Sequence, residues 1–154
     1  EVSTIEQRLG AIYSRTGKTK QSDLLYESSF KYLGYLVEKD AENFDFIKTR
    51  GEAKFGYGDE LLKRGENEKA RQIFQKAFEE MFETANKKDA IYAKSLQALY
   101  FVKLGNCEKS SEKAITEYQK AVEIWQNNEV LNISGNVQKD LLDVLQRKIE
   151  RLEK

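Results

Sequence analysis

The sequence predicts an all-α fold, an antiparallel helix-hairpin array of about three helix pairs closed by a C-terminal capping helix. Three observations carry that prediction. Proline is absent from all 154 residues, so no obligatory helix breaker interrupts the chain. The strong helix formers Ala, Leu, Glu, Lys and Gln dominate its composition. The stretch from Gly65 to Ala85, GENEKARQIFQKAFEEMFETA, is echoed by GNCEKSSEKAITEYQKAVEIW from Gly105 to Trp125. In both, small, aromatic and small residues recur in order, Ala70, Phe74 and Ala77 and then Ala114, Tyr118 and Ala121, which is the signature of stacked helical hairpins.

Taken in order, Ile5, Leu9, Ile12 and Tyr13 fall at three-and-four spacing and predict a helix from Thr4 to about Thr16, stopped by Gly17. A second helix is expected from about Gln21 to Lys39, with Ser22 near its start and Leu25, Tyr26, Phe30, Leu33, Leu36 and Val37 as its buried stripe. Asp40 is the expected cap of the third, which runs to Arg64 with a bend or short break near Arg50 to Gly56, because each interior glycine costs about 1 kcal/mol. Asn67 to about Asn86 carries a continuous stripe of Ala70, Ile73, Phe74, Ala77, Phe78, Met81, Phe82 and Ala85. Asp89 caps a fifth helix through Leu104, and Gly105 takes its left-handed C-terminal position. Ser110 or Ser111 opens a sixth, which fades into an asparagine-rich loop from Gln126 to Asn136. The last helix, about Val137 to Leu152, is amphipathic. The units are thus about 3–39, 41–86 and 88–127 within an array over 3–136, with a cap over 137–153, in one domain overall.

Composition narrows the function classes. Hydrophobic residues at 40% and charged residues at 34% supply a core and a solvated surface, which argues against disorder. Lys plus Arg equal Asp plus Glu at 26 each, so no net field draws the chain to nucleic acid, and no nucleic-acid partner is expected. No apolar run approaches the roughly 20 residues that span a bilayer, so membrane insertion is not expected. The one cysteine, Cys107, sits in an expected exposed turn; it forms no intramolecular disulfide and fits a reducing, cytoplasmic compartment. Because the sequence opens at Glu1 without methionine, the alternative is an exported protein whose signal peptide was removed before Glu1.

Three hairpins overlay residue by residue: Leu9, Gly10, Tyr13 with Ser22, Tyr26, Ser29; Tyr57, Gly58, Leu61 with Ala70, Phe74, Ala77; and Gln97, Ala98, Phe101 with Ala114, Tyr118, Ala121. At these residues the chain resembles the tetratricopeptide repeat family, whose pattern is W-x2-L-G-x2-Y in the first helix and A-x3-F in the second. Leu9, Gly10 and Tyr13 match the first motif directly. No tryptophan stands at its first position, Gln97 replaces the leucine in the third unit, and no proline closes a repeat. Ser22 to Ala70 is 48 residues and Ala70 to Ala114 is 44, against the usual 34 or so of the family.

The resemblance implies a superhelical array that serves as a non-enzymatic scaffold, binding a peptide or protein segment in a concave groove lined by the first helix of each pair. Carried over, the groove positions are Gln7, Ala11, Ser14 and Arg15, then Glu52, Phe55, Asp59 and Lys63, then Tyr92, Ser95, Leu99 and Val102. Against this, Leu99 and Val102 are candidates for ordinary burial under neighbouring helices. The family's carboxylate clamp is not matched, since Gln7 and Ala11 stand where its first lysine and asparagine would be.

No catalytic residue, cofactor or metal site is expected. Histidine is absent, and Cys107 has no histidine to activate it. The glycine-rich GEAKFGYG from Gly51 to Gly58 lacks the Lys-Ser/Thr tail of a phosphate loop and is better explained by a bend at Gly51 and close packing at Gly58. Asn132-Ile133-Ser134 matches a glycosylation acceptor in the expected polar loop. Leu142, Leu145, Ile149 and Leu152 on the last helix either cap the array or zip against a second copy. That homodimer underlies the alternative function, a sensory or structural domain dimerising through its last or edge helices and signalling to an effector region.

Overall fold

The computed structural model describes residues 2–154, and the side chains of all of these except 128–138. Seven α-helices follow in order: α1 (Val2–Arg15), α2 (Thr19–Lys39), α3 (Phe44–Lys63), α4 (Asn67–Lys88), α5 (Ala90–Cys107), α6 (Ser111–Gln126) and α7 (Asn128–Leu152). No strand occurs among the described residues, so the fold is all-α. By its contacts the chain falls into two compact units, Glu1–Thr84 and Ala85–Lys154.

In the first unit α1 packs on α2, and α2 and α1 on α3. Helices α3 and α4 meet through Phe55 and Phe74, whose rings lie 5.9 Å apart, and through ion pairs from Arg50 and Lys54 to Glu80. The turns α1–α2 and α3–α4 are built alike. Gly17 and Gly65 both adopt a φ of 77°, open to glycine without strain. Lys18 N–H donates to the Tyr13 carbonyl at 2.8 Å, and Gly17 N–H to that of Ser14 at 3.2 Å. Glu66 and Gly65 donate in the same way to Leu61 and Leu62, each at 2.9 Å. Both helices therefore end in the Schellman arrangement, which satisfies their last carbonyls.

Helix α3 departs from expectation in two places. Its cap is Asn43, whose side chain accepts the Asp45 N–H at 3.1 Å, while Asp40 ends α2. No break occurs between Arg50 and Gly56; α3 is continuous through Gly51, Gly56 and Gly58. The glycines cost helix propensity but open space for a neighbour: a Cβ at Gly51 would lie 1.8 Å from the Met81 sulfur.

In the second unit α5 pairs with α6, and α7 packs on both. Asp89 caps α5 as expected, accepting the N–H groups of Ile91 and Tyr92 at 2.9 Å each. Gly105 does not end it. The helix runs on to Cys107, which is buried rather than exposed in the turn. Ala98, Ala114, Tyr118, Ala121, Trp125, Leu142 and Leu145 form the core, with Ile149 and Leu152 packed against it. The loop expected from Gln126 to Asn136 shrinks to Asn127, and α7 begins at Asn128. The Asn132-Ile133-Ser134 backbone is thus helical, and its side chains lie outside the described residues.

Candidate functional site

Each hairpin is locked by one aromatic ring seated on a glycine of its first helix. A Cβ added at Gly10 would meet the Tyr26 ring at 2.9 Å, at Gly58 the Phe74 ring at 2.3 Å, and at Gly105 the Tyr118 ring at 2.3 Å. Tyr26 is 3% exposed, Phe74 0% and Tyr118 2%, so the rings are fixed in place and the backbones must approach them. Gly10 to Ser22, Tyr26 and Ser29 spans 12, 16 and 19 residues, and so does Gly58 to Ala70, Phe74 and Ala77.

The third hairpin corrects the sequence register. Tyr118 sits on Gly105, not on Ala98, which lies one heptad earlier in the α5 core. From Gly105 to Ala114, Tyr118 and Ala121 the spans are 9, 13 and 16, three residues shorter throughout. α5 continues only two residues past its glycine, whereas α1 and α3 continue five past theirs. The likeness of Gly65 to Gly105 is therefore only local, because one turns the chain and the other receives a ring.

The groove positions divide between the two units. In the first unit Phe55 and Ser14 are buried, 6% and 8% exposed, and so belong to the packing. The Gln7 amide donates to the Ser29 hydroxyl at 3.0 Å, within the α1–α2 seam. Ala11 and Asp59 are half-buried, and exposed Glu52 pairs along α3 with Lys48 at 3.8 Å. Arg15 and Lys63 are brought together by Glu60, which sequence reasoning missed. Its carboxylate is 5% exposed and takes Lys63 at 2.6 Å and Arg15 at 3.7 Å, while those two chains remain 55% and 66% exposed. The second Glu60 oxygen is buried without a hydrogen bond. Two cations thus stand over one sunken carboxylate, and both side chains remain open to solvent.

Beside it, Asp23 accepts the Tyr57 hydroxyl at 3.0 Å and the Arg64 guanidinium at 2.8 Å. Burial, then the Asp23 hydrogen bond and charge, push Tyr57 up to about 12. Burial, reinforced by the Glu60 charge, pushes Tyr26 up to about 12 as well. Burial works against the Arg64 charge, but Asp23 and Glu66 hold its pKa above the ordinary value. Tyr57 stays neutral and Arg64 charged near neutrality, and their bonds to Asp23 act as a structural clasp between α2 and α3.

In the second unit Tyr92, Ser95, Leu99 and Val102 are all half-buried, and Val102 packs against the core. With the register set by Gly105, Val102 corresponds to Phe55 and Gln7, which face their hairpin partner, and Asn106 takes the place of Ala11 and Asp59. Asn106 accepts from the Tyr118 hydroxyl at 2.8 Å and from Lys148 at 2.7 Å. Burial pushes Tyr118 up to about 12 and lowers the Lys148 pKa. A shallow hollow of about 280 Å³ lies beside Lys94, Gln97, Glu123, Ile124 and Asn127. It is smaller and more charged than the apolar pockets that enclose small ligands.

Among the described residues no three His, Cys, Asp or Glu side chains are grouped to hold a metal ion, and no helix is long and apolar enough to cross a membrane. The class these observations define is an all-helical protein built of ring-on-glycine hairpins. No family model matches the chain, and neither a curated protein nor a solved structure is significantly similar to it.

Proposed function

We propose that this chain is a tetratricopeptide-like helical scaffold, without catalytic activity of its own, that binds a peptide or protein segment on the open faces of its first helices. The observation that carries this reading is the division of labour within α1 and α3. Each gives one face to its hairpin partner through a glycine, Gly10 or Gly58, and leaves exposed Arg15, Glu52 and Lys63 on another. The cation pair over Glu60 suits a segment carrying a carboxylate, and such charge complementarity sets orientation and encounter rate. The alternative, a domain that dimerises through its last or edge helices, would need other residues of α7 than Leu142, Leu145, Ile149 and Leu152, which are engaged within their own unit.

Selection of displayed random peptides on the intact protein tests the reading. Enriched acidic or mixed acidic and apolar peptides are expected, with affinity reduced about tenfold or more by Lys63→Glu together with Arg15→Glu and restored in part by Lys63→Arg. Peptides that bind equally well to the charge-reversed protein would remove these residues from the site. The absence of any enrichment would remove the scaffold reading altogether.

A further inference from the structure

Of the apolar stripe predicted for α1, Tyr13 is half-buried, but Ile5, Leu9 and Ile12 are 63%, 37% and 54% exposed. Val2 on the same face is 61% exposed, and α1 meets α2 through buried Ser3, Gly10 and Ser14. Isolated exposed aliphatics are ordinary, but four on one helical face form a contiguous patch on the order of 400 Å², the size of the largest apolar patch of an ordinary monomer, which is often functional.

The second hairpin shows what such a face receives. Gly10 and Gly58 are 48 residues apart, as are Gly17 and Gly65, so α1 and α3 share one register. Shifted by 48, Val2, Ile5, Leu9 and Ile12 become Arg50, Ala53, Tyr57 and Glu60. That α3 face meets α2 through Tyr57 and Arg50, and its two ends are also reached by Arg15 of α1 at Glu60 and by Glu80 of α4 at Arg50. Tyr57 stacks 4.7 Å from Tyr26 and 5.8 Å from Phe30 and bonds Asp23. A Cβ at Gly34 would come within 3.7 Å of Arg50, and Ala53 and Glu60 are 3% and 4% exposed. The same face is covered on α3 and open on α1.

We propose that the Val2, Ile5, Leu9, Ile12 face of α1 is a docking site for an amphipathic helix of a partner protein, seated as α2 is seated on α3. The site also specifies the chemistry of that helix. On α3 the covering helix needs Asp23 because Arg64 and Tyr57 face it; on α1 those positions are Thr16 and Leu9. The occupant therefore carries an aliphatic and aromatic stripe with no carboxylate at its centre, and an acidic flank toward exposed Arg8. A second copy of this chain is disfavoured as occupant, because its own patch offers only the aliphatics Val2, Ile5, Leu9 and Ile12 and no aromatic ring to stand where Tyr26 and Phe30 stand over Tyr57. This face is distinct from that of Arg15 and Lys63, so the inference does not depend on the function proposed above.

The probe is a labelled 21-residue peptide with the sequence of α2, residues 19–39, carrying Asp23→Leu, titrated against the intact protein by fluorescence anisotropy. Saturable binding is expected, weaker by about tenfold for the unsubstituted peptide and lost with Ile5→Glu plus Ile12→Glu in the protein. Both positions are exposed, so helicity and melting temperature of that variant should match the parent, and Ile5→Leu plus Ile12→Leu should retain binding. No saturable binding, binding indifferent to the glutamates, or equal binding of the unsubstituted peptide would overturn the proposal. So would self-association of the protein alone that the same glutamates abolish, because the occupant would then be a second copy.

Discussion

Glycine plays opposite parts at neighbouring positions of one helix. Gly58 lies under the Phe74 ring, whereas Gly56 is exposed and has nothing within 4 Å of a built Cβ. Gly56→Ala should stabilise the protein by up to about 1 kcal/mol through helix propensity. Gly58→Ala gains the same propensity but overpacks a ring that cannot move, for a net loss of about 1–2 kcal/mol. Thermal melts of the two variants should shift in opposite directions, by about 2–4 °C per kcal/mol. The buried tyrosines give a second test at this scale. Tyr26, Tyr57 and Tyr118 have pKa values raised from 10.0 to about 12, so between these values the folded state holds protons that the unfolded state has released. Their contribution is complete below pH 10 and is lost as pH rises through 12. Ultraviolet titration should show these tyrosines ionising late, together with unfolding, and Tyr118→Phe should remove one late step.

At the scale of elements, hydrophobic spacing made the helices legible but not their neighbours. The α1 stripe was readable as an apolar face, yet periodicity says only that a face is apolar and not what covers it. The glycines of α3 read as a break because propensity is local, whereas the Met81 and Phe74 side chains that explain them lie a hairpin away. The polar stretch after Gln126 read as a loop from composition, but it contains nothing that forbids a helix. Helix α7 was legible as amphipathic, and its place comes from packing: Leu145 is 4% exposed against α5 and α6 residues of the same unit. Leu145→Ala should cost about 2–4 kcal/mol, read by denaturant titration followed at Trp125 of the same core, whereas Val144→Ala, 60% exposed, should cost little. Gly65→Ala places an ordinary side chain at a φ of 77° and should cost about 1 kcal/mol.

For the whole molecule, the legible part was the class of fold and the repetition of small and aromatic residues. The third register was not legible, because the motif Leu104-Gly105 is followed by a hairpin three residues shorter than the other two. Glu60 escaped notice as one carboxylate among many, and only burial distinguishes it. One device, an aromatic ring from the second helix seated on a glycine of the first, builds all three hairpins. Proton NMR of the intact protein reads it in a single experiment. Upfield-shifted α-protons are expected at Gly10, Gly58 and Gly105 with nuclear Overhauser contacts to the rings of Tyr26, Phe74 and Tyr118, and ordinary shifts at Gly17, Gly56 and Gly65. Missing ring contacts at any of the three glycines, or a Tyr118 ring seated on Ala98, would contradict it.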